Sequence, residues 1–473
     1  MPEGIGEAHE ARIEWALVAR DGSGELCPSS RTGWGDGLRW PRLSAAVREA
    51  NAHGRKSMLK YWKDLRHLPR PVWTVAASQL VNRAGSMVLS FLILYLTRDR
   101  GFSAVHAGFI LFLYGAGAIV SAPLAGRLAD RWGAVPLMRA SLLCSGVILL
   151  LYPLARSLPV IAAVTVVLAM LTEAFRPAAM AFFGETVEPA RRKSAFAVYR
   201  LAINLGMAIG PAVGGVLATL SFRYLFLVDG ATSLAAAILL SAASLPPRPS
   251  SAHSHPANPT TATRLRLSTA AHADPRFLFF LAGVLPVTVI FFQHISSMPL
   301  FIVRDLGLSS ATFGLLFSLN CLLIVVLEIP LNAATAHWPH RQTLALGAVL
   351  SGAGFGAMAF ARDFWTLAAT VVLWTFGEML FFPASAAYAT DVAPDRRRGE
   401  YSGLYTMVFS VAFAIGPWAG TVVLERMGAR TLWGATFVLG LIAAAMFLRL
   451  PEPRTHHALP EQTLPDAAGP AEI

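Results

Sequence analysis

Arg83, Glu173, Arg176 and Glu378 stand inside long apolar runs of this 473-residue chain. Glu328 joins them within Leu327-Glu328-Ile329-Pro330, eight residues after Asn320 and with no basic residue nearby in sequence. An ionisable group in such a setting costs roughly 3 kcal/mol or more unless it is paired or wetted, so each is a site candidate. Glu173 and Arg176 are three apart and share a helix face, which predicts a pair between them, with Arg83 as a further partner. That pair can equally be purely structural. A lone carboxyl in apolar surroundings can gain or lose a proton as its access to water changes, so Glu328 and Glu378 are proton-carrier candidates. Glu173 is the third. Asn82, Gln293, His294 and Asn320 are polar groups able to touch a substrate, and His294 can also relay a proton or simply pack as a hydrogen-bonded histidine. Asp229 lies about a turn from one surface, with Arg223 as its expected partner. Phe291, Phe292, Trp374, Phe381 and Phe382 could wall an apolar cavity or face neighbouring helices.

The elements that carry these groups are set by composition. Only 14% of residues are charged and 55% are hydrophobic, against about 25% charged in a soluble domain, which argues against a soluble enzyme. The apolar runs are continuous rather than alternating, so they predict membrane-crossing helices and not a β-barrel. Twelve are expected, at roughly 71–97, 103–125, 135–155, 157–184, 195–219, 224–244, 277–301, 311–333, 343–361, 364–389, 401–424 and 429–449, numbered here as spans 1 to 12. Arginines follow the even spans 2, 4 and 10: Arg127, Arg131 and Arg139, then Arg191 and Arg192, then Arg396, Arg397 and Arg398. The positive-inside rule puts these connections, and both termini, in the cytoplasm, and the chain in the cytoplasmic (inner) membrane. Residues 1–57 read as a disordered tail, 58–70 as an amphipathic lead-in, 246–276 as a Pro- and Ser-rich cytoplasmic linker and 451–473 as a second disordered tail. Between them lie two six-helix halves, 71–245 and 277–450.

The halves repeat each other at an offset of 205 to 206 residues, with landmarks Glu173/Glu378, Pro177/Pro383, Pro189/Pro394, Tyr199/Tyr405 and Gly210-Pro211/Gly416-Pro417. Repeats of an even number of spans keep one orientation and are related by an axis along the membrane normal, enclosing a cavity between them. Span 5 carries Gly206-Met207-Ala208-Ile209-Gly210-Pro211-Ala212-Val213-Gly214-Gly215, with Gly206, Gly210 and Gly214 on one face where a neighbouring helix can approach closely. Gly126-Arg127-Leu128-Ala129-Asp130-Arg131-Trp132-Gly133 follows span 2. Over 68–450 the chain resembles the major facilitator superfamily, in particular its twelve-helix bacterial drug:proton antiporters. The span 5 segment is similar to the family's antiporter motif, GxxxGPxxGG, and the second segment to its GxLxDRxG signature. The resemblance implies a hinge at Gly206, Gly210, Pro211, Gly214 and Gly215. It implies a conformational latch, in the loop after span 2, at Gly126, Asp130, Arg131 and Gly133. It also implies a cavity lined by spans 1, 4, 7 and 10, which would hold Arg83, Glu173, Arg176 and Glu378. Asn82-Arg83-Ala84-Gly85 is similar to a pattern in bacterial drug exporters. Two departures stand out: Ala134 and Val135 replace the basic pair that follows the signature, leaving Arg139 nearest, and span 1 holds no acid between Pro71 and Thr97.

The expected function is secondary active transport, with proton-coupled efflux of small amphipathic compounds, drug or metabolite, by alternating access. A nutrient symporter or uniporter and a non-transporting membrane receptor are the alternatives. No GxxxxGK[ST] loop, HExxH or nucleophile constellation is present, so neither ATP hydrolysis nor other enzyme activity is expected. Cys27, Cys144 and Cys321 are too dispersed for a disulfide or metal framework, and no cofactor or metal is expected. The cations punctuate apolar segments rather than forming a basic folded surface, which excludes a nucleic-acid partner. The partners expected are a small-molecule substrate, protons and the bilayer, for a monomer.

Overall fold

The computed structural model describes residues 68–188, 191–243, 274–394 and 397–451. The tail 1–57, nearly all of the lead-in and linker, and the second tail beyond its first residue lie outside the described residues. Twelve helices among the described residues are long and apolar enough to cross a membrane. They are span 1 Arg70–Asp99, span 2 Ala104–Trp132, span 3 Ala134–Leu154, span 4 Leu158–Thr186, span 5 Arg192–Leu220 and span 6 Phe222–Ala242 in the first half. The second half has span 7 Pro275–Asp305, span 8 Ser310–Thr335, span 9 His340–Phe360, span 10 Phe364–Val392, span 11 Arg398–Met427 and span 12 Ala429–Leu448.

Local sequence explains the ends. Ser103 and Ser309 cap spans 2 and 8 by accepting the backbone N–H of His106 and Thr312, and Asp363 with Thr366 forms a reciprocal capping box at span 10. Gly133 and Gly428 take positive φ, +91° and +82°, to turn the chain between consecutive spans with almost no loop. At the arginine-rich end, guanidinium groups terminate helices. Arg192 donates to the Val187 and Gly184 carbonyls of span 4, and Arg139 to the Leu240 carbonyl of span 6. Cations at helix C-termini meet both the unpaired carbonyls and the dipole.

Two features depart from the expected outline. Spans 1 and 7 are broken helices. Span 1 stops at Gly85, resumes at Val88 and ends in a π-helical turn, Tyr95–Asp99. Span 7 passes through a 3-10 stretch, Phe292–Ile295, and ends in its own π turn, Phe301–Asp305, 206 residues from the first. Span 2 also runs on to Trp132, so the Gly126–Gly133 signature is helical except for its last glycine and is not a loop.

The apolar core divides by depth. At the end away from the arginines one continuous cluster draws on both halves, including Phe91, Tyr95 and Ile110 from the first and Phe301, Phe313 and Trp433 from the second. The Phe91 and Phe313 rings meet edge to face at 5.2 Å across the divide. At the arginine-rich end the core splits, one cluster holding only first-half residues such as Val72, Phe183 and Leu240 and the other only second-half residues such as Phe277, Tyr388 and Phe447. The halves are joined at one end and parted at the other.

Candidate functional site

The joint between the halves is built from small residues. A Cβ on Gly314 of span 8 would strike the Pro211 carbonyl of span 5, and one on Gly215 would lie 2.8 Å from the Ser310 carbonyl. Gly206 and Gly214 face span 1 instead, where a Cβ would sit 2.7 Å from that of Arg83 and 2.8 Å from that of Met87. A Cβ on Gly210 would lie 3.1 and 3.2 Å from the carbonyl oxygens of Arg83 and Ala84. The span 5 motif therefore seats span 1 on one face and span 8 on another, and side chains larger than hydrogen would push them apart. Gly126 of the signature has open space around it, and Asp130 and Arg131 are exposed.

The break in span 1 exposes backbone donors that a continuous helix would have used. Asp229 of span 6 accepts them: its carboxylate lies 3.2 Å from the Met87 N–H and 3.0 Å from that of Val88. Asp229 is buried, and Arg223, the partner expected from sequence, is exposed and forms no ion pair with it among the described residues. The local sequence gives the reason, because Gly85 and Ser86 interrupt the helix and free the amides that follow for an acceptor on another span. Asn82 donates to Ser233 at 3.0 Å, tying the same two spans together. Arg83 lines a small cavity of about 50 Å³ with Asp229, Tyr114 and Gln79 among its polar groups and Leu92, Leu142 and Phe175 among its apolar ones.

The two repeat-related carboxyls have matching neighbours. Tyr114 of span 2 donates to Glu173 at 3.4 Å, and Asn320 of span 8, 206 residues on, donates to Glu378 at 2.9 Å and to Thr375 at 3.0 Å. The expected Glu173–Arg176 pair does not form: Arg176 is exposed, and neither Arg176 nor Arg83 lies within ion-pair distance of Glu173 among the described residues. Three positions along a helix put two side chains on one face, but a longer arginine can turn to the water side.

Glu328 is not alone. Arg200 of span 5 reaches across the parted halves to bond it at 2.7 Å. The pair lies in a cavity of about 750 Å³ at the arginine-rich end, lined by span 5 on one side and spans 8, 9 and 10 on the other, with Asn204 and Asn332 beside apolar Leu201, Ile324 and Ile329. Arg200 escaped the sequence reading. The one signal was an arginine two turns deeper in span 5 than the basic run before it.

The remaining expected contacts resolve into packing. Gln293 is buried, donates to the Val289 and Gly416 carbonyls and accepts from Ser297, so its groups are used in joining span 7 to span 11. His294 is buried, with Nδ1 against the Phe291 carbonyl and its ring among Phe291, Phe317 and Trp374. Trp374 and Phe381 are buried as well and form no exposed wall, because these residues face spans 9 and 12.

Residues 75–304 and 294–470 match the family model of the Major Facilitator Superfamily. A class C tetracycline resistance protein of Escherichia coli is 26% identical over 363 residues, 73% of this chain and 85% of that one. A Na(+), Li(+), K(+)/H(+) antiporter of Planococcus maritimus is 23% identical over 365 residues, 71% of this chain and 85% of that one. Among solved structures, a bacterial homologue of the human lysosomal transporter Spinster, in an inward-facing and unoccupied conformation, superposes with a TM-score of 0.66 at 15% identity, covering 80% of this chain and 96% of that one.

Proposed function

The chain belongs to the major facilitator superfamily of membrane transporters and is not an enzyme, and we propose that it exports small amphipathic compounds in exchange for protons by alternating access. The carrying observation is Glu378. It is a half-buried carboxyl that accepts from the neutral amide of Asn320 and has no ion-pair partner among the described residues. A carboxyl held by a neutral donor can exist with or without its proton, whereas one locked to an arginine is committed to the charged form. Glu378 is accordingly the proton carrier. Arg200 commits Glu328 to the other role, contact with the substrate. Glu173 keeps a supporting place in span 4.

Rocking proceeds about the small-residue seams. Gly206, Gly210 and Gly214 let span 1 slide on span 5, and Gly215 with Gly314 let span 5 turn on span 8, so the open end closes while the joined end parts. Asp130 and Arg131, at the end of span 2, latch one of these states. The arginine-rich end faces the cytoplasm by the positive-inside rule, which makes the open cavity inward-facing and the membrane the cytoplasmic one. Export is supported by the tetracycline-resistance relative, and proton exchange by the antiporter relative.

Proteoliposomes with an imposed pH gradient test this reading. Proton movement that requires substrate, measured with an entrapped pH dye against a panel of amphipathic compounds, is the expected result. Substrate flux indifferent to the gradient would make the protein a facilitator and remove the proton from the mechanism.

A further inference from the structure

The Arg200–Glu328 pair is lopsided in a way that bears on what the cavity takes. The arginine side chain is 66% exposed and the glutamate 16%, at an N–O separation of 2.7 Å. The guanidinium therefore stands in the open space of the cavity, while the carboxylate is set back beside Ile324, Val325 and Ile329. The pair also belongs to two bodies, since Arg200 lies on span 5 of the first half and Glu328 on span 8 of the second.

A charged substrate entering this cavity must replace one partner and leave the other. An anion that captured Arg200 would leave the less exposed Glu328 without its partner, and stripping the partner from the more enclosed charge is the costlier way to break such a pair. A cation that captured Glu328 would release Arg200 into water through a small rotation of a long, already solvated side chain, at little cost. The less exposed member thus sets the sign of the favoured ligand. Its apolar neighbours favour hydrocarbon on the same ligand, and Asn204 and Asn332 leave room for polar substituents.

We propose that Glu328 is the recognition site for monovalent organic cations and that Arg200 is a tethered competitor, which occupies the carboxylate when the cavity is empty and is displaced by substrate. This rests on the transport reading for its biological use but not for its test. Arg200 is a specificity-determining residue: it keeps the empty site neutral and rejects cations too weak to displace it.

The experiment is equilibrium binding of tetraphenylphosphonium to the purified full chain at fixed pH, with tetraphenylborate as a control of matched shape and opposite charge. Wild type is expected to prefer the cation. Arg200→Gln, at a side chain two-thirds exposed, is expected to bind the cation up to about fivefold more tightly, the range that follows from removing a competitor of surface-pair strength. Glu328→Gln is expected to lose at least about tenfold. The exchange Arg200→Glu with Glu328→Arg, which buries the opposite sign, is expected to shift preference toward the anion. A purely mechanical strap would instead leave the exchanged protein with wild-type preference, and that result overturns the proposal. So does weaker cation binding by Arg200→Gln, equal affinity for the two ions in wild type, or no binding of the cation. Because no gradient is applied, absence of proton coupling in vesicles leaves this test intact, and a failed binding pattern leaves coupling through Glu378 standing.

Discussion

The two halves share a backbone plan and a repeat but differ in their embedded charges. The first half holds Arg83, Arg176 and Arg200 more than two turns inside their spans, against Glu173 and Asp229, whereas the second holds Glu328 and Glu378 with no lysine or arginine as deep. Each half also places a polar side chain from its second helix on the carboxyl of its fourth, Tyr114 on Glu173 and Asn320 on Glu378. The same geometry in different electrostatic company gives different chemistry. Glu173 and Glu378 each accept from a neutral donor and have no ion-pair partner among the described residues, whereas Glu328 is met by Arg200 of the first half. Under the proposed mechanism, a repeated frame with a few different charged positions places proton and substrate work in the second half.

The small-residue seams repeat the contrast. Gly108 of span 2 packs against Thr421 of span 11, and its repeat mate Gly314 of span 8 packs against span 5 at Pro211 and Gly215. Positions Gly206 and Gly215 of span 5 correspond to Ala412 and Thr421 of span 11, so span 5 has glycine where its repeat mate carries side chains.

The sharpest way to break this comparison is to fill the seams. Gly210→Leu is expected to abolish transport while leaving some folded protein, at a cost of roughly 1–3 kcal/mol for overpacking. The milder Gly416→Ala, where an added Cβ meets its neighbours no closer than 3.3 Å, is expected to retain most of the uptake into vesicles. Equal loss in both would mean the halves hinge symmetrically. A smaller effect separates the two carboxyl donors. Asn320→Ala is expected to slow transport about tenfold, since its amide donates at 2.9 Å, whereas Tyr114→Phe, which removes a 3.4 Å contact, is expected to change initial rates less than twofold. The latch gives an effect between these two. Asp130 has Ala336 at its place in the second half, so Asp130→Asn is expected to lower turnover severalfold with substrate affinity unchanged, and unchanged turnover would remove its assigned role.

The spans were legible because hydropathy and helix length are local, and the repeat because Pro177/Pro383 and Gly210/Gly416 survive in register. The pairings were not. Asp229 meets amides 141 and 142 residues away, and Arg200 meets Glu328 across 128, contacts decided by how helices rotate about their axes rather than by any spacing in the chain. Neither was the break at Gly85–Ser86, since an apolar run looks the same to a hydropathy reading whether its backbone is continuous or interrupted. The expected Glu173–Arg176 pair fell for the opposite reason, because shared face is necessary for contact and side-chain length lets water win.

The central claim, that the second half alone carries the proton, is most directly tested by substrate-dependent proton flux in proteoliposomes with Glu378→Gln and Glu173→Gln beside wild type. The account predicts a loss of at least about 100-fold in coupled flux for Glu378→Gln, the scale of removing a required proton-transfer group, and less than tenfold for Glu173→Gln. Coupled flux that survives Glu378→Gln and vanishes with Glu173→Gln would contradict it.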